Sequence, residues 1–79
     1  MIIKVLGSGC KSCRALEQQL HSALEELDVA AEVLKISKMD EIIQYDVMMT
    51  PALVINGKIK AAGHVPKLEE LKQLIREEM

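Results

Sequence analysis

The sequence predicts an α/β fold of element order β-α-β-α-β-β-α, with a four-stranded mixed sheet and helices on both faces. Three observations carry the prediction. Short β-branched runs alternate with segments whose apolar residues recur at helical spacing. Asn56-Gly57 joins two strand-like runs and is the strongest two-residue hairpin signal available. The chain then returns to helical spacing after a proline, Pro66.

Each element has its own justification. "IIKVL", Ile2–Leu6, is a β-branched and aliphatic run of strand length. From about Cys10 to Leu27 the period becomes helical. Cys13, Leu16, Leu20, Ala23, Leu24 and Leu27 form one stripe, while Glu17, Gln18, Gln19, Glu25 and Glu26 fall mostly on the other side. "AAEVLKI", Ala30–Ile36, is a second strand. Ser37 followed by Asp40 reads as a capping box for a short helix over residues 38 to 45. "PALVI", Pro51–Ile55, and "KIKAA", Lys58–Ala62, are the two arms of the hairpin, with Gly63 ending the second. Leu68, Leu71, Leu74 and Ile75 give the final helix its apolar face. Two β-α-β units imply right-handed crossovers, so the first three strands are expected to run parallel and the fourth antiparallel.

Length and composition narrow the function classes. A chain of 79 residues is expected to form a single domain, residues 1–79. Apolar residues make up 49%, but Tyr45 is the sole aromatic, so the core must be aliphatic. A net charge of −2 with both signs interspersed argues against a nucleic-acid surface and against a polybasic membrane anchor. No apolar run is long enough to span a membrane. "MIIKVLG" is too short, and too interrupted by Lys4, to be a secretory signal. The expectation is a cytoplasmic monomer without a cofactor.

"GSGCKSC", Gly7–Cys13, carries the chemistry. It is not a phosphate-binding loop. That motif needs glycine directly before Lys-Ser and again five residues earlier, where this chain has Cys10 and Val5. The two cysteines are the only ones in the chain. A bridge between them would close a very small loop and stabilise the fold little, so reactivity or metal binding is the better reading. Cys10 stands at the predicted helix start, where unpaired N–H groups and the positive dipole end favour a thiolate. Lys11 and Arg14 add positive charge nearby. Cys13 lies one turn on, within disulfide range, and begins the apolar stripe, so it should be the more buried sulfur. Cys10 is then the attacking thiolate and Cys13 the resolving thiol. His21, eight residues past Cys13, lies roughly 12 Å along the helix and is expected to be a solvated surface residue.

Strand, glycine-bearing loop, C-x-x-C on a helix, then "YDVMMTPALVING", strand and final helix resembles thioredoxin and glutaredoxin over nearly the whole chain. The short archaeal and bacterial thioredoxin-like redox-active disulfide proteins are the most similar in length. The resemblance implies a thioredoxin-like fold and thiol–disulfide exchange with disulfide-containing protein substrates. It implies a reductant that is either thioredoxin-reductase-like or glutathione-dependent. Pro51 matches the family's cis proline facing the cysteines, and Thr50 before it would present backbone to the substrate. Gly63 and His64 would lie at the rim of the active site.

Departures from the family pattern also stand out. Gly9 replaces the tryptophan before the first cysteine, and Lys11-Ser12 replace Gly-Pro. Lys4 occupies the position of thioredoxin's buried aspartate. A lysine there is expected either to run its stem over apolar residues to solvent or a carboxylate, or to lie below the cysteines and favour the thiolate.

The competing class is a soft-metal chaperone, since two thiolates suit Cu(I). Small heavy-metal-associated domains run β-α-β-β-α-β and end on a strand, whereas this chain ends on a helix. A structural zinc site would need two further ligands. No metal is expected.

Overall fold

The computed structural model describes residues 1–7, 11–47 and 49–79. Seven elements follow in the order expected: β1 (Ile2–Leu6), α1 (Lys11–Leu27), β2 (Glu32–Ile36), α2 (Met39–Ile43), β3 (Ala52–Ile55), β4 (Lys58–Ala62) and α3 (Leu68–Arg76). The strands form one sheet in the order β2-β1-β3-β4. β1 is therefore central, flanked by β2 and β3.

Strand direction departs from the expectation in one place. β1 and β2 run parallel, but β3 is antiparallel to β1, pairing Leu6 with Ala52 and Ile3 with Ile55. The five residues of α2 advance only about 7.5 Å, less than half the roughly 16 Å of a five-residue strand, so α2 does not serve as a crossover helix. The chain enters β3 at the end where β1 leaves the sheet. β4 is antiparallel to β3, as the hairpin signal requires.

Local signals at the turns behave as chemistry dictates. Asn56 and Gly57 both have positive φ, 50° and 82°, which is what a two-residue turn of this kind needs. Asn56 also ties the turn to the central strand. Its Oδ1 accepts from Ile2 N–H at 3.0 Å, and its own N–H donates to Ile2 O at 2.9 Å. The capping box at Ser37 does not form. Lys38 is the residue preceding α2, and no side chain caps that helix. Likewise Lys67, not Pro66, immediately precedes α3.

The two faces of the sheet are unequal. Ile3 and Val5 of β1, with Leu53, Ile55 and Ala61, pack against the stripe Leu16, Leu20, Ala23, Leu24 of α1 and Leu71, Ile75 of α3. The opposite face has a small cluster, Leu6, Ala52 and Val54 under Ile42 of α2, with Ile36, Tyr45 and Val47 partly buried beside it. One short helix cannot cover four strands, so Ile2, Leu34 and Ile59 remain exposed. β3 lies between two neighbours and beneath helices on both sides, and all four of its residues are buried.

Charge pairs fasten the long helices. Lys72 of α3 reaches Glu26 of α1 at 3.2 Å and Glu69 at 3.1 Å. A bulge in the β3–β4 ladder leaves Lys60 without a cross-strand partner. Its ammonium meets Glu78 at 3.0 Å and Glu77 at 3.4 Å, beyond the end of α3, and Lys58 meets Glu78 at 3.4 Å. Hydrogen bonding from Lys60, opposed in part by desolvation, holds the Glu78 carboxyl below its ordinary value of 4.5. The same pairing raises Lys60 above 10.5.

The sign of the acid dependence follows. Because the folded value of Glu78 is depressed, its contribution is present above pH 4.5 and is lost as pH falls through the folded value. Glu78→Gln should therefore be less stable than wild type at about neutral pH, and the gap should close in acid. Urea denaturation across the acid range measures it; a gap that persists unchanged at the lowest pH would exclude this linkage.

Candidate functional site

The candidate site is built at the end of the sheet where β1 leaves it. Gly7 continues the β1–β2 ladder one residue past the strand, donating its N–H to Ile36 O at 2.9 Å. Its missing side chain matters for space. A Cβ at Gly7 would overlap Cys13 Sγ and lie 3.3 Å from Cys13 Cβ. Only glycine lets the strand pass directly beneath the sulfur.

Cys13 is the third residue of α1, within its first turn, and no acidic residue occupies that turn. It is 6% exposed and begins the buried stripe of the helix, as expected. Its sulfur is in a disulfide. Cys10 lies outside the described residues.

Proline and glycine complete the row. Leu6 pairs with Ala52, and Ala52 with Ala62, so Gly7, Pro51 and Gly63 follow one another across the same end of the sheet. Neighbouring strands lie about 4.8 Å apart, which places Pro51 one strand from the glycine that bears the sulfur. The Thr50–Pro51 bond is cis, as the motif led one to expect. Pro51 is buried and Thr50 exposed. Pro51 O accepts from Gly63 N–H at 2.9 Å. Gly63 has φ +80°, and a Cβ there would lie 3.1 Å from Met49 Cβ and Cε. Both conformation and space therefore call for glycine.

Both histidines lie at the surface. His64 is exposed, with Nδ1 at 3.3 Å from Ala62 O. His21 is largely solvated, its Nε2 3.8 Å from Glu17 Oε1. The ammonium of Lys4, a half-buried residue, has no carboxylate at ion-pair distance among the described residues. It donates to Tyr45 OH at 2.7 Å, across the sheet from the cysteine.

Sequence reasoning missed a cleft of about 170 Å³ beside the sulfur, lined by Val5, Gly7, Cys13, Arg14, Glu17, Lys35 and Ser37. Glu17, assigned to the polar side of α1, lies one turn beyond Cys13 and pairs with Lys35 of β2 at 3.1 Å. The i, i+4 spacing of Cys13 and Glu17 was available in the sequence. Lys35 was not, because only the β1–β2 register sets it opposite Val5. Among the described residues no cluster of His, Cys, Asp or Glu could hold a metal ion. None of the described helices is long and apolar enough to cross a membrane.

Comparison with known proteins agrees with this geometry. Residues 1–76 match the thioredoxin domain family. The chain belongs to the thioredoxin family. That family is one of thiol–disulfide oxidoreductases, and its fold accounts for the mixed sheet and the cis proline beside the sulfur. Among similar proteins is a thioredoxin of Methanothermobacter thermautotrophicus, 36% identical over 75 residues, covering 95% of this chain and 97% of that protein. A thioredoxin of Methanocaldococcus jannaschii is 30% identical over 76 residues, covering 96% of this chain and 87% of its own length.

The steric role of Gly7 is testable. Gly7→Ala should cost about 1–3 kcal/mol, as overpacking does, and should shift the amide resonances of the first turn of α1. Gly57→Ala faces open space but has φ +82°, so it should cost about 1–2 kcal/mol and leave those resonances in place. Unchanged α1 resonances in Gly7→Ala would remove glycine's role under the sulfur.

Proposed function

We propose that this protein is a dithiol–disulfide oxidoreductase in which Cys10 attacks and Cys13 resolves. The observation that carries the reading is Cys13 itself. It is a buried, disulfide-bonded cysteine in the first turn of a helix, seated on Gly7 and one strand from Pro51. Inert structural cysteines have no use for such a setting.

The exchange balances in two steps. The Cys10 thiolate attacks one sulfur of the substrate disulfide, forming a mixed disulfide and releasing the other substrate sulfur as a thiolate that takes a proton. Deprotonated Cys13 then attacks the Cys10 sulfur, breaking the mixed disulfide and releasing the second substrate thiol. The substrate gains two electrons, and the protein is left with a Cys10–Cys13 disulfide. Two electrons, from the dithiol of a thioredoxin-reductase-like system or from two glutathione thiols that leave as their disulfide, return it to the reduced state. Lys11 and Arg14, with the helix start, favour the Cys10 thiolate. Thr50 presents backbone to a peptide substrate beside Pro51, and Gly63 and His64 border the same surface. The substrates are disulfide-containing proteins, met in the cytoplasm by a monomer.

Insulin reduction with purified protein tests the assignment. Cys10→Ser should abolish turnover, whereas Cys13→Ser should accumulate a mixed disulfide with substrate. Brief alkylation of the reduced protein should label Cys10 before Cys13. Preferential labelling of Cys13, or turnover by Cys10→Ser, would overturn the roles.

A further inference from the structure

Lys4 and Tyr45 form a contact that the exchange reaction does not explain. Lys4 Nζ donates to Tyr45 OH at 2.7 Å and lies 5.3 Å from the ring centroid. The pair is partly buried and joins residues 41 apart in the chain. Among the described residues, Lys4 has no carboxylate partner at ion-pair distance. A lysine stem laid over apolar residues usually ends in water or on a charge. Here it ends on the chain's sole aromatic residue.

The position of the contact gives it meaning. Lys4 sits on β1 between Leu34 of β2 and Val54 of β3. Three residues on, the same strand reaches Gly7 beneath Cys13. Tyr45 is the second residue after α2, and six residues on, its segment reaches Pro51. Beside the β1–β3 ladder, this contact ties the two arms of the site behind their tips. The second arm is fixed at Pro51 by the Leu6–Ala52 pairing and the Gly63 N–H, while among the described residues its α2 end is thinly packed. α2 buries only Ile42, and its cluster contains four buried residues. Elements with few buried contacts open locally at low cost. Alternation along β1 puts Lys4 and Leu6 on the face opposite Val5 and Cys13, so the ammonium does not face the thiol.

We infer that Lys4 and Tyr45 are positioning residues: they latch the segment from α2 to Pro51 against the strand that carries the cysteine loop, and so set the affinity for peptide disulfides. The inference rests on the exchange reading above.

Tyr45→Phe removes only the hydroxyl, Lys4→Met only the ammonium, and the double variant both. Each single variant should raise KM for insulin about fivefold, with kcat little changed, as loss of one hydrogen bond of ordinary net strength would do. The double variant should match the singles, since both break the same contact. The rate with a dipyridyl disulfide, small enough to meet the sulfur alone, should stay as in wild type. So should the pH at which Cys10 alkylation is half-maximal. Amide hydrogen exchange at Tyr45, Asp46 and Gly63 should quicken in all three variants while that of the α1 interior does not. Unchanged KM with unchanged exchange, additive losses, or equal losses on both disulfides would each overturn the latch. If wild type reduces neither disulfide, the exchange reading fails instead, and the hydrogen-exchange result alone decides whether the latch exists.

Discussion

The contact between the bare backbone of Gly7 and the sulfur of Cys13 governs much of what surrounds it. A helix that follows a strand must place its first turn over the end of the sheet, and any Cβ at residue 7 would occupy the volume of Sγ. With glycine there, α1 settles close to β1, and its stripe from Cys13 to Leu24 lands on Ile3 and Val5. The same closeness buries the sulfur while leaving one side of it open to the cleft toward Glu17 and Lys35. Packing and reactivity share a single geometric condition.

The rest of the fold divides its labour between faces. The face under α1 and α3 holds most of the buried apolar side chains, and charge pairs from Lys72 and Lys60 fasten its edges. These pairs sit at the surface, where solvent weakens them, so they orient the helices more than they hold the protein together. The face under α2 holds few buried residues and one lysine–tyrosine hydrogen bond. It also leads into Met49, Thr50 and Pro51. Most of the buried apolar packing thus lies on the side of the sheet that carries α1 and the sulfur.

The departures from the family pattern fit this division. Lys4 stands where thioredoxin has a buried aspartate, yet it faces away from the cysteine and toward α2. A charge in that place therefore bears on the geometry of the proline arm and not on the sulfur. Glu17 is the carboxylate that shares a cleft with Cys13, and it comes from the helix, not from the central strand.

The sequence by itself determined the elements. Periodicity, the Asn-Gly turn and the final helix placed every strand and helix to within a few residues, because each depends on local spacing. The spacing of the apolar stripe foretold the burial of Cys13 near the start of α1, and the family resemblance foretold the cis bond at Pro51. Tertiary structure decided the direction of β3, since its pairing with β1 is a long-range choice that local periodicity does not state. It also decided that Ser37 caps nothing, that Gly7 serves for space, and that Lys4 finds Tyr45 and Lys35 finds Glu17. Those partners are distant in the chain, and they meet only once strand register and helix placement have been set by packing.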